Sequence, residues 1–161
     1  MPNTNQKTHA TPGAFLNYAR QYYLAAEEAA NSKFLLIDAR YFLYFHATEL
    51  LLKAYQRAHG REPWGHEIGA LYAECRDLGL KIASDDRIGL QSIVNLLETG
   101  NKDMGFRYFS LESSVLPEMN WTREVVGQLL SVVTAFVHPN GAPSLGTAVK
   151  FSLIIYPPSQ K

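Results

Sequence analysis

Apolar residues return at steps of three and four along five separate stretches of the chain, and that period constrains its fold more than any other feature. Phe15, Tyr18, Ala19, Tyr22, Ala26 and Ala29 mark the first stretch, over residues 14–31, with Asn31 and Ser32 as its break. The second runs from about residue 33 to 59 and stops at Gly60, a natural helix terminator. Ile68, Leu71, Tyr72, Cys75 and Leu78 carry a third, from about 66 to 78, which Gly79 ends. Ser84, Asp85 and Asp86 read as an N-cap cluster for a fourth, with Ile88, Leu90, Ile93, Val94, Leu96 and Leu97 inside it and a stop at Gly100. Residues 101–117 read as a loop holding a short extended piece, Phe106 to Leu111. Asn120 or Thr122 caps a fifth helix, whose apolar face ends at the turn of His138, Pro139, Asn140 and Gly141.

The tail has another period. Val149, Phe151, Leu153 and Ile155 alternate with Lys150, Ser152, Ile154 and Tyr156, which is the pattern of a strand. A lone strand needs a partner, either residues 106–111 or the same tail of a second chain. The expected fold is therefore all-α: an up-and-down antiparallel bundle of four to five helices with a short C-terminal β-strand. Residues 1–13 read as a disordered leader, 14–138 as the bundle, and 139–161 as a tail with an extended strand at about 148–156. Strand and helix do not alternate, and no glycine loop of the phosphate-cradling kind is present.

Composition narrows the function classes. A chain of 161 residues fits one domain. Fifteen Lys and Arg balance fifteen Asp and Glu, which argues against a strongly basic nucleic-acid platform. Cys75 is the single cysteine, so no intrachain disulfide or cysteine-cluster zinc site can form. No run approaches the length of a membrane-spanning helix, and the polar first residues lack the apolar core of a signal peptide. A cytoplasmic protein is expected.

The second helix is apolar around most of its circumference and should lie at the centre of the bundle. A narrow polar stripe of His46, Glu49, Lys53 and Gln56 runs down it. His46 and Glu49 are three residues apart, and Glu49 and Lys53 four, so each pair can touch. The stripe has three readings. It is a solvated edge with an ordinary Glu49–Lys53 pair; or a structural network in which Glu49 meets a polar residue of a neighbouring helix, His66 above all; or the wall of a ligand cleft, with Lys53 holding an anion and His46 titrating near neutral pH. A metal site is disfavoured, because one His46–Glu49 pair supplies too few ligands and Lys53 would repel the ion. No cofactor is expected.

The stretch from Tyr44 to Ala54 (YFHATELLLKA), then Gly60, then the helix opening His66 to Leu71 (HEIGAL), resembles the HEPN family, the nucleotide-binding domains of higher eukaryotes and prokaryotes. The segment of Gly105, Phe106, Arg107 and Tyr108 is similar to an Arg-Tyr segment common there. The resemblance spans about residues 14–138 and implies a helical bundle, frequently a homodimer. The partners it implies are nucleotides, RNA or a nucleotidyltransferase-like protein. Carried onto this chain, Glu49, Lys53 and His66 match its structural signature.

The ribonuclease branch of that family uses an Arg and a His separated by four to six residues, a pair able to move a 2′-hydroxyl proton and hold phosphate charge without metal. Arg40 with His46 and Arg61 with His66 have the spacing. However, Arg40 lies roughly 120° from His46 around the helix, and Arg61 is in a loop. Before His138, Ser131, Val132 and Val133 stand where the Arg should be. No catalytic residue is assigned. The expected function is binding of a small anionic or nucleotide-like ligand or a partner protein, with a metal-independent endoribonuclease and a structural dimerisation module as alternatives. The expected ligand-binding residues are His46, Glu49, Lys53, His66 and Arg107: Lys53 and Arg107 to hold negative charge, His46 to orient the ligand, Glu49 and His66 to brace the wall. Trp64 is expected to cover the start of the third helix, and Cys75 to be an inert buried thiol.

Overall fold

The computed structural model describes residues 10–83, 89–102, 106 and 115–141. Among these are five helices: α1 (Pro12–Ala30), α2 (Ile37–Ala58), α3 (Ile68–Asp77), α4 (Leu90–Gly100) and α5 (Met119–Val137). They form the all-α bundle that the helical period predicts, and no strand occurs among the described residues. Most of the leader, Ser84 to Asp86, Arg107, the extended piece beyond Phe106 and the tail strand lie outside the described residues.

The central helix is the most buried. α2 packs on α1, α3, α4 and α5, with Tyr44, Ala47, Leu51, Leu52 and Ala54 fully enclosed. Burying a side chain the size of Leu51 or Leu52 contributes about 1.5–3 kcal/mol, so α2 anchors the core. Its neighbours bring Leu16, Ile68, Leu90, Ile93, Leu97, Val125 and Leu129 to the same cluster. α1 runs antiparallel to α2, since Arg40 reaches the Ala26 carbonyl while Arg57 reaches that of Ala10. α5 runs antiparallel to α1, with Arg123 on Glu27 at one end and His138 beside Gly13 at the other.

The helix ends follow local rules, with instructive differences. α1 begins at Pro12, two residues before the first residue expected to be helical. Thr11 accepts from the Ala14 N–H at 3.1 Å and Pro12 takes the first helical position, where its missing N–H costs nothing. α2 ends as expected. Gly60 has φ +74°, its N–H donates to the Arg57 carbonyl, and the next N–H, of Arg61, donates to that of Gln56. Gly79 closes α3 with the same pair of bonds, to Arg76 and from Leu80 to Cys75.

Three expected boundaries are corrected. α2 starts at Ile37 and not at residue 33; Phe34 and Leu35 form an exposed turn, Leu35 at 86% exposure. Ser32 holds that turn by accepting from the Phe34 N–H, a side-chain bond that competes with helix. α4 starts at Leu90 with Gly89 as its N-cap, not at the cluster of Ser84 to Asp86, and it stops at Gly100 as expected. Gly100 has no positive φ and is there for space, because a Cβ would lie 2.4 Å from Leu116 Cδ2 and 2.8 Å from Phe106 Cζ. α5 is capped by Glu118, not by Asn120 or Thr122. Its carboxylate accepts from the N–H groups of Asn120 and Trp121 at 3.0 and 2.8 Å. Those two bonds hold the Glu118 carboxyl below its ordinary pKa.

Candidate functional site

The polar stripe of α2 turns inward. Glu49 and Lys53 have side chains only 5% and 11% exposed, so the solvated-edge reading fails. Lys53 Nζ lies 2.7 Å from Glu49 Oε1. The same oxygen lies 2.8 Å from Nδ1 of His66, which precedes α3. The other oxygen, Oε2, faces His46 Nδ1 at 3.7 Å, an ion-pair distance and too long for a hydrogen bond. One buried carboxylate thus gathers an ammonium and two imidazoles from α2 and the start of α3.

Each member is placed by local structure. Glu49 and Lys53 share a face because they are one turn apart on α2. The Gly60 turn brings the chain back so that His66 reaches Glu49 from the side of α3. The His66 N–H donates to Glu67 Oε2 at 3.1 Å. The Glu67 carboxyl is held below its ordinary pKa, first by its own backbone N–H and that of His66, then by the fields of His66 and Lys53. His46 sits in an aromatic frame. Its ring stacks on Tyr22 of α1 at 5.3 Å and meets the edges of Phe42 and Phe45.

The chemistry of the cluster is asymmetric. An ammonium has three N–H donors, and among the described residues Glu49 takes one from Lys53. His66 is 83% exposed at its side chain. With its Nδ1 proton directed at Glu49, its Nε2 faces outward. A buried carboxylate braces two cationic or donor groups, one inside and one at the rim. Such an arrangement can hold an anion. The Lys53 ammonium on Glu49 opposes a metal ion there, and among the described residues no group of three His, Cys, Asp or Glu side chains is placed to hold one.

Of the five expected site residues, His46, Glu49, Lys53 and His66 come together, and Arg107 lies outside the described residues. Trp64 does not cover α3 but is 88% exposed. The two Arg-His pairs of nuclease spacing are not drawn together by hydrogen bonds. Arg40 donates to the Ala26 carbonyl and approaches the Tyr44 hydroxyl, and Arg61 stays in the loop after Gly60. Cys75 is buried with its thiol directed at the Leu52 carbonyl, and burial pushes its pKa up to about 12.

Two polar features escape a reading of the sequence. Gln56, one turn beyond Lys53 on the stripe, is fully buried. It donates from Nε2 to the Leu71 carbonyl and to Glu74, both at 3.1 Å. Tyr44, apolar by pattern, donates to Glu27 at 2.5 Å, and Glu27 also accepts from Arg123 at 2.6 Å, joining α1, α2 and α5. Burial, then that bond to Glu27, raises the Tyr44 pKa. Their partners come from other helices, so spacing within α2 carries no signal of them.

No described helix is long and apolar enough to cross a membrane. The family model described as HEPN domain matches residues 13–139. No curated protein and no solved structure matches the chain.

Proposed function

The chain belongs to the HEPN domain family, and on that premise we propose that it is a binding module for an anionic, nucleotide-like ligand seated at the Lys53–His66 edge of the bundle. The observation that carries this is the Lys53 ammonium, enclosed beside an exposed imidazole and using one of its three donors among the described residues. An entering phosphate or carboxylate would take the remaining donors of Lys53 and, with the His66 ring protonated, its outward Nε2–H, while Glu49 keeps both cations in place. His46, with Tyr22, Phe42 and Phe45, gives an aromatic wall on the same side of α2.

Calorimetric titration with ATP, GTP and AMP tests this. Binding that falls about tenfold or more in both Lys53→Met and His66→Ala supports it. Equal affinity in the parent chain and both variants, or no heat with any nucleotide at millimolar concentration, overturns it. The structural-network reading then stands alone.

The exposed run of Phe34, Leu35, Leu36 and Ile37 at the α1–α2 turn supports association with a second copy or a partner protein such as a nucleotidyltransferase. Light scattering of the parent chain and of Leu35→Glu reads this out. A dimer that dissociates in the variant is the expected result for self-association.

A further inference from the structure

A second cluster lies on the opposite side of α1. Between α1 and α5 runs a groove of about 560 Å³, inside the size range of small-molecule sites. Arg20 forms one wall, and Ser131, Thr134 and His138 form the other. Among the described residues, no carboxylate lines it.

The groove follows from helix geometry. Gly13 and Arg20 are seven residues apart on α1, two turns with a rotation of only about 20°, so both face α5. His138 and Thr134 are one turn apart, and Ser131 lies one turn further down. The helices are antiparallel with His138 beside Gly13, where a Cβ would come within 3.9 Å of the imidazole Cε1. Arg20 therefore stands opposite the Ser131 end, and helical side chains lean towards the N-terminus, which aims its guanidinium along the groove towards His138.

The polar groups there have an unusual balance. Arg40, Arg57, Arg76 and Arg123 each reach an acceptor on another element. Arg20 has none among the described residues, although it is half-buried, and neither the Thr134 hydroxyl nor the His138 ring has a partner there. Ser131 donates to the Gly127 carbonyl, so its oxygen can still accept. The groove offers a cationic fork, a hydroxyl and an imidazole, with Leu130, Ala135 and Pro139 as apolar surface beside them.

We infer that this α1–α5 groove is an anion site for an organic phosphate monoester, with the phosphate on Arg20 and Thr134 and the organic body against Leu130, Ala135 and Pro139. A planar guanidinium matches two phosphate oxygens at once, which a lone ammonium does not. The apolar wall distinguishes an ester from free phosphate. The site shares ligand chemistry with the Lys53 edge but no residue: Tyr22, which carries His46, projects roughly 200° around α1 from Arg20.

The experiment is an NMR titration of the full isotope-labelled chain with AMP, with adenosine and inorganic phosphate as separate arms. AMP is expected to move the amide signals of Arg20, Thr134 and His138 with saturation. Inorganic phosphate should move those near Arg20 and Thr134 more weakly, and adenosine should move none. Arg20→Gln and Thr134→Val, on opposite walls, should each weaken AMP about tenfold, whereas Lys53→Met and His66→Ala leave the groove signals responding as before. Groove signals still at millimolar AMP and phosphate, or a response unchanged in both groove variants, overturn the inference. Movement confined to signals around Lys53 and His66 overturns it too, and leaves the first site standing.

Discussion

Nδ1 of His66, on an exposed side chain ahead of α3, lies 2.8 Å from Oε1 of Glu49, buried on α2. The Lys53 ammonium shares that oxygen at 2.7 Å. A charge that α2 could not bury alone is thus satisfied by its own helix and by the next one.

Removing one partner should therefore cost more than removing both. Glu49→Leu strands the Lys53 ammonium in the interior and is expected to lower stability by about 3 kcal/mol. Glu49→Leu combined with Lys53→Met replaces the pair by apolar groups of similar volume and should recover most of that loss. Urea denaturation of the three proteins measures it. A double variant no more stable than the single one would show that the loss comes from the missing Glu49 contacts, not from the stranded charge.

Gly100→Ala sets packing against propensity. Alanine is the better helix former by about 1 kcal/mol, yet its Cβ would meet Leu116 and Phe106 inside ordinary contact distance. Overpacking of this kind typically costs about 1–3 kcal/mol. The variant should be less stable than the parent in thermal unfolding. A rise in Tm would mean that Leu116 and Phe106 yield without strain.

Glu118 makes the stability of α5 depend on pH. Its carboxyl is lowered by the Asn120 and Trp121 N–H groups, so the folded state prefers the ionised form. That contribution is complete above the ordinary carboxylate pKa of the unfolded chain and fades as pH falls through the lower value of the folded one. Glu118→Gln should melt below the parent at neutral pH, and the gap should close on acidification. Melting curves across that range test it. A gap that widens in acid would have the wrong sign.

Cys75 should be silent in the folded protein. Its thiol is buried and its pKa is pushed up to about 12, so almost no thiolate is present near neutral pH. A thiol-specific reagent should label it only at the rate at which the protein opens, and at once in denaturant. Rapid labelling of the native chain would place the thiol elsewhere.

The nuclease-type spacings show why residue intervals mislead without tertiary partners. Arg40 with His46 and Arg61 with His66 have a suggestive interval, but Arg40 turns towards the Ala26 carbonyl and His46 towards Tyr22. An interval along one helix fixes a rotation, and the neighbouring helices decide what meets each face. Gln56 and Tyr44 make the same point: both lie in plain view on α2, and their partners Leu71, Glu74 and Glu27 come from elements distant in sequence.

The sequence by itself determined the five helices, the central place of α2, the glycine ends of α2 and α3, and the nearness of Glu49 to Lys53, because each depends on period, turn chemistry or a single helical turn. Only the tertiary structure decided that this pair is buried, that His66 joins it, that Trp64 stands in solvent, and that Arg20 and His138 line one groove. Those facts depend on which helix faces which, and that is settled by how side chains from separate stretches fill one core.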